Sequence, residues 1–180
     1  MEPRDGTSDK DDFRQRALAC LDGLYAFALS LARDRSVAED LVQETFLRAL
    51  RAANRPGPDE NLRAWLFTIL HNVWRNERRR KAPRSLDAEP ALQASLPCIA
   101  PSVEQSLDAE GRSLRLRRAI DELGEPYREV VMLRFGEGLS YHAIAQALDC
   151  PAGTVMSRLA RARAHLHRAL GGPRRLRRQA

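Results

Sequence analysis

The sequence predicts an all-α protein made of two small helical domains joined by a flexible linker, the second ending in a helix-turn-helix. Three observations carry that expectation. Apolar residues recur at intervals of three and four, and no segment shows the alternation that a half-buried strand needs. Near the middle, residues 82–101 carry Pro83, Pro90, Pro97 and Pro101 and lose any sustained period. Of 180 residues, 43% are hydrophobic, 30% charged and only 6% aromatic, which suits small bundles with wide solvated faces.

The elements follow in order. From about Asp11, the segment FRQRALACLDGLYAFALSLAR sets Phe13, Ala17, Leu21, Leu24, Ala28 and Leu31 on one helical stripe. After RDRS, Ser36 with Glu39 three residues later reads as a capping box, opening a helix to about Ala53. That helix should partly bury Leu41, Val42, Phe46, Leu47 and Leu50. NRPGPDEN is a turn-rich break, and a third helix runs from about Leu62 to Arg80 on a Leu62, Leu66, Ile69, Val73 stripe. These helices make a first domain over residues 10–81. After the linker, Ser102 with Gln105 signals a helix carrying Leu107, Leu114, Ile120 and Leu123, which Gly124 ends. Pro126 suits the first turn of the next helix, with Val130, Val131, Leu133 and Phe135 apolar. Ser140 caps a short helix with Ile144 and Leu148, and an Asp149-Cys150-Pro151 corner leads into a helix to about Leu170. The second domain covers 102–170, and 171–180 is a basic tail.

The net charge of +6 is unevenly placed. Residues 1–60 hold 9 Lys+Arg against 12 Asp+Glu, and residues 61–84 hold 7 against 1. Residues 85–149 hold 6 against 11, and residues 150–180 hold 8 against none. A single basic run is usually a solvated face, but two basic blocks, each closing a helical unit, favour two contacts with one polyanion.

The last helix makes the polyanion concrete. Val155, Leu159, Ala162, Leu166 and Leu170 form a stripe to bury, while Ser157, Arg158 and Arg161 cluster away from it in the early turns. A recognition helix offers its N-terminal turns to base edges, where Arg forks onto guanine and Ser pairs with bases or phosphates. Arg163 and Arg168 lie farther along and suit phosphates.

LSYHAIAQALDCPAGTVMSRLARAR resembles the upstream-promoter reader of extracytoplasmic-function (ECF) sigma factors. AEDLVQETFLRAL and LRAWLFTILHNVWRNERRR resemble the same family, in the right order and on either side of a linker, so the likeness runs from about Asp11 to Leu170. It implies a bacterial protein that binds core RNA polymerase, recognises −35 and −10 promoter elements, opens the duplex and is restrained by an anti-sigma factor. The resemblance places Asp40, Gln43 and Glu44 of DLVQE on the polymerase clamp, Asp40 and Glu44 being neighbours one turn apart. It places Asn72 in a pocket for a flipped −10 base, with Arg75, Arg78, Arg79 and Arg80 on the backbone of the opened strand. It places Ser157, Arg158, Arg161 and Arg163 on −35 DNA. Trp65 and Trp74 read as core residues rather than stacking platforms. Met156 and Ala160 depart from the family pattern, where the first position is commonly basic and the second often larger.

Other classes fare worse. A stand-alone helix-turn-helix regulator with an N-terminal sensing or dimerising bundle remains the alternative, although such a bundle needs no second basic block at RNERRRK. No Ser/His/Asp set or Gly-rich phosphate loop suggests an enzyme. Cys20, Cys98 and Cys150 are odd in number and far apart, and His71, His142, His165 and His167 lack ligand spacing, with only His71 and Cys20 a conceivable pair. No catalytic residue, cofactor or metal is therefore expected. No apolar run approaches the roughly 18 residues of a membrane span and the N-terminus is no signal peptide, so the expected place is the cytoplasm, without membrane insertion.

Overall fold

The computed structural model describes residues 6–57, 60–81 and 109–171. The proline-bearing linker, the Ser102 start signal with Leu107, and the tail beyond Gly171 lie outside the described residues. Within them the chain forms eight α-helices and no strand. They are α1 (Gly6–Leu18), α2 (Leu21–Ala32), α3 (Arg35–Arg51) and α4 (Leu62–Lys81), then α5 (Ala109–Asp121), α6 (Glu125–Val131), α7 (Tyr141–Ala147) and α8 (Ala152–Ala169).

The first helix is not continuous. The chain turns at Ala19–Cys20, where the Cys20 amide donates to Ala17 O at 3.0 Å, one residue short of helical register. The break lets α1 lay Phe13 edge-on against Trp65 at 6.3 Å, while α2 packs on α3 and α4. The α3 cap also differs from expectation. Asp34, not Ser36, is the N-cap: its extended backbone aims the carboxylate at the Val37 amide, 2.9 Å away. Glu39 pairs instead with Arg35 at 2.9 Å. Only part of the apolar face expected for α3 is buried. Leu41 and Val42 are enclosed with Ala38, Thr45 and Ala49, Phe46 is half-buried, and Leu47 and Leu50 are exposed. Small residues win the interior because α2 and α4 both press close to α3.

The second unit departs from regular phase once. Met132–Gly136 forms a π-helical turn, in which the Glu137 amide donates to Met132 O at 3.1 Å, five residues back. The extra residue per turn rotates Phe135 outward, so it is 57% exposed instead of buried. Leu114 and Leu170 are likewise exposed, while Ile120 is half-buried and Leu123 buried. Gly138 (φ 69) turns the chain into Ser140, whose hydroxyl accepts from the Ala143 amide at 3.1 Å as expected for a cap. Asp149 takes a left-handed conformation (φ 51), the Cys150 amide donates to Ala145 O at 3.0 Å, and Pro151 then opens α8. Val155, Leu159 and Ala162 are buried as the stripe requires.

The two units do not stand apart. α4 packs on α3 and on α7, α2 packs on α6, and the buried apolar residues join into one core. At its centre Phe27 of α2 meets Phe67 of α4 edge-on at 5.4 Å. Arg128 ties the units further. Buried, it donates from Nε to Ser30 O at 2.8 Å and from a terminal nitrogen to Leu123 O at 2.7 Å. Burial, helped by the neighbouring Arg33, pulls this guanidinium below its ordinary pKa.

Two stability outcomes follow. Truncation of Phe27 to Ala should cost about 3–5 kcal/mol in denaturant unfolding, because it opens a cavity against Phe67. Asp34→Ala should cost about 0.5–2 kcal/mol, whereas Ser36→Ala should stay within about 0.5 kcal/mol; the reverse order would return the cap to Ser36.

Candidate nucleic-acid interface

The buried stripe of α8 fixes where its other side chains point. With Val155, Leu159 and Ala162 inward, Ser157 and Arg161 lie on the opposite face, both exposed. Arg158 flanks them, half-buried near Cys150. These three stay together, as the sequence predicts. Arg163 does not join them. It projects from the other flank and sets its guanidinium over the Phe135 ring, 5.4 Å from the centroid. The Ser157 hydroxyl donates to Thr154 O at 2.9 Å, which leaves its oxygen lone pairs facing outward as acceptors. Burial pushes the Cys150 thiol above its ordinary pKa, with Arg158 opposing, so a neutral thiol sits beside the arginine cluster.

The α4 set divides in two. Asn72, Arg79 and Arg80 are exposed on an outward strip. Arg75 and Arg78 turn toward the second unit, where Arg75 meets Asp149 at 3.2 Å and Arg78 meets Glu125 at 2.6 Å. The same Glu125 oxygen accepts from the Trp74 indole N–H at 3.0 Å. Trp74 and Trp65 both pack half-buried against the core, as expected of structural residues. One turn earlier His71 is buried with Glu129 3.5 Å from its Nε2, and its Nδ1 finds no partner among the described residues.

On α3, Asp40 and Gln43 are exposed, and Glu44 accepts from Arg48 Nε at 2.7 Å. The three share one side of the helix, so they present an acidic, solvent-facing turn.

Sequence reasoning missed the carboxylates that face α4: Glu125, Glu129, Glu137 and Asp149. Glu137 reaches Arg63 at 3.1 Å and is only 11% exposed at its side chain. Burial raises the pKa of its carboxyl, with Arg63 pulling the other way. A signal existed in the acidic surplus of residues 85–149, opposite in sign to the basic block before it. Among the described residues no group of three or more His, Cys, Asp and Glu could hold a metal ion, and no helix is long and apolar enough to cross a membrane.

Comparison with known proteins matches this architecture. The Sigma-70 region 2 family matches residues 17–84, and Sigma-70, region 4 matches residues 113–166. The chain is 38% identical over 156 residues to the ECF RNA polymerase sigma factor EcfG of Rhodopseudomonas palustris, covering 87% of this chain and 83% of that one. It is 36% identical over 132 residues to the ECF RNA polymerase sigma-E factor of Escherichia coli K12, covering 69% of each. Among solved structures, the sigma factor RpoE of Bartonella quintana in complex with the anti-sigma factor NepR superposes with a TM-score of 0.66 at 35% identity, covering 91% of this chain and 99% of that one. CnrH in complex with the cytosolic domain of CnrY gives a TM-score of 0.60 at 26% identity, covering 92% and 91%. The chain therefore belongs to the extracytoplasmic-function sigma factors of RNA polymerase.

Proposed function

We propose that this chain directs core RNA polymerase to a set of promoters from the cytoplasm and catalyses nothing itself. Residues 10–81 dock on polymerase and handle the −10 element, residues 82–101 connect them to residues 102–170, which read the −35 element, and the basic tail 171–180 comes last. The single observation that carries this reading is the separation of two exposed surfaces of opposite charge. α3 offers the exposed Asp40 and Gln43 beside the Arg48-paired Glu44, and α8 offers the exposed Ser157 and Arg161 beside the half-buried Arg158. An acidic turn on a DNA-binding chain repels the nucleic acid, but it suits a basic protein surface.

In the −35 interaction, Arg161 and Arg158 fork onto base edges, and Ser157 accepts from a base amino group. Arg163, on the other flank of α8, neutralises a phosphate after leaving Phe135. In the −10 interaction, Asn72 offers an amide that can both donate to and accept from the edge of an extruded base. Arg79 and Arg80 continue the exposed strip toward the strand backbone, with Arg75 and Arg78 beside them. An anti-sigma factor restrains the protein in this reading, because the solved sigma factor RpoE of Bartonella quintana, of like fold, is in complex with such a partner.

The reading is tested by run-off transcription with core polymerase on a library of promoters. Arg161→Ala should weaken −35 binding by about 1–3 kcal/mol and relax one or two base positions. Arg163→Ala should instead weaken all sequences alike and lower the salt slope by about one. Charge reversal at Asp40 should abolish promoter selection in the polymerase mixture while leaving binding of the free chain to DNA unchanged. A chain that selects a palindromic site by itself, untouched by that reversal, would be a conventional regulator.

A further inference from the structure

We propose that Met156 makes part of α8 a methyl reader: its thioether side chain meets the C5-methyl group of one thymine in the −35 element. Ala160 leaves room for that methyl to enter. The inference rests on the assignment of α8 to −35 DNA.

The placement of the exposed residues points this way. With Val155, Leu159 and Ala162 inward, about 100° of rotation per residue orders the early exposed positions around α8 as Met156, Ala160, Ser157 and Arg161. One half of this surface is polar, with Ser157 and Arg161. The other half is apolar, with Met156 and Ala160. Met156 is 51% exposed and stays out of the core, although Val155 before it is fully buried. A long apolar side chain at this position gains little burial from folding. It sits one residue before Ser157 and one turn before Ala160, in the turns that a recognition helix offers to base edges.

The chemistry of the major groove selects what Met156 can recognise there. Thymine alone among the four bases presents a methyl group in that groove, and an apolar side chain reads it by contact rather than by a hydrogen bond. Methionine suits the contact because it is unbranched, flexible and polarizable. Its sulfur is a weak acceptor and no donor, so it cannot fork onto guanine as Arg161 can. Ala160 ends at its Cβ, and a longer side chain there would fill the space between Met156 and Ser157. Two modes of reading therefore share one helix, a charged fork at Arg161 and an apolar contact at Met156.

The test reads the methyl itself. Core polymerase carrying the full-length parent first selects a −35 element from a promoter library. Each thymine of that element, on either strand, is then replaced in turn by deoxyuridine, which lacks only the methyl, and promoter binding is measured by competition. One replacement should weaken the parent roughly 3- to 5-fold, the effect of one buried methyl. Met156→Ala should bind the unmodified promoter more weakly and lose its response to deoxyuridine. Met156→Arg should exchange thymine for guanine at the same position. With cytosine in place of that thymine, 5-methylation should recover roughly 3- to 5-fold in the parent, because Met156 has no group that tells the two methyls apart. A parent that responds to the methyl of thymine but not to that of cytosine overturns the inference. If deoxyuridine is tolerated at every position, or the selected element holds G·C pairs alone, while Arg161→Ala still relaxes base preference, the −35 reading stands and the methyl reader is wrong. An equal loss in parent and Met156→Ala assigns the effect to the stiffness of the DNA and also overturns it. If neither Arg161→Ala nor Met156→Ala changes preference at any −35 position, the assignment of α8 falls and takes the inference with it.

Discussion

α4 is the helix on which the rest of the molecule depends, because it is asked to be a core element on two sides at once. Leu62, Leu66, Phe67, Leu70 and Val73 are buried, and His71 and Trp74 meet Glu129 and Glu125 of the second unit. A helix has room for about one wide apolar stripe before its solvent face disappears. With two flanks committed, the exposed residues of α4 gather mostly in its last turns, at Asn72, Asn76, Arg78, Arg79 and Arg80. Nucleic-acid chemistry and folding thus compete for the circumference of a single helix.

The competition is settled differently in apolar and polar currency. The apolar residues that join the two units in one core gain from burial whatever the ionic conditions. The polar contacts are less one-sided. Arg128 is well satisfied by two carbonyls, Glu137 is shielded while its partner Arg63 is exposed, and His71 is left half-served. Groups like His71 lose hydration on burial without full replacement. The contact between the units therefore combines non-directional apolar burial with polar partners of uneven quality.

The fold was largely legible because its signals are local. The period of α4, the Ser140 cap and the Pro151 corner each declare themselves within a few residues, and the structure keeps all three. What was not legible depended on neighbours distant in sequence. Leu47 and Leu50 have the right spacing for burial, but α2 and α4 approach so closely that Ala38, Thr45 and Ala49 fill the space. Phe135 lost its place to a π-helical turn, which no composition signal announces. Asp34 outcompeted Ser36 because the chain is extended at Asp34, a conformation set by the left-handed Arg33 before it. For the site, residue types on α8 were readable and their grouping nearly so. The division of the α4 arginines was not, since their partners lie 47 and 74 residues away.

The π-helical turn at Met132–Gly136 has a bearing on anyone who wishes to move the reader between proteins. One added residue in a helix shifts the phase of everything downstream by about 100°. Here that offset sits between α6, which anchors the second unit to α2, and the α7–α8 corner that presents Ser157 and Arg161. The azimuth of the recognition surface relative to its anchor is thus encoded outside the recognition helix. A graft of α8 alone would carry the contact residues and leave their bearing behind, whereas a graft beginning before Met132 would carry both.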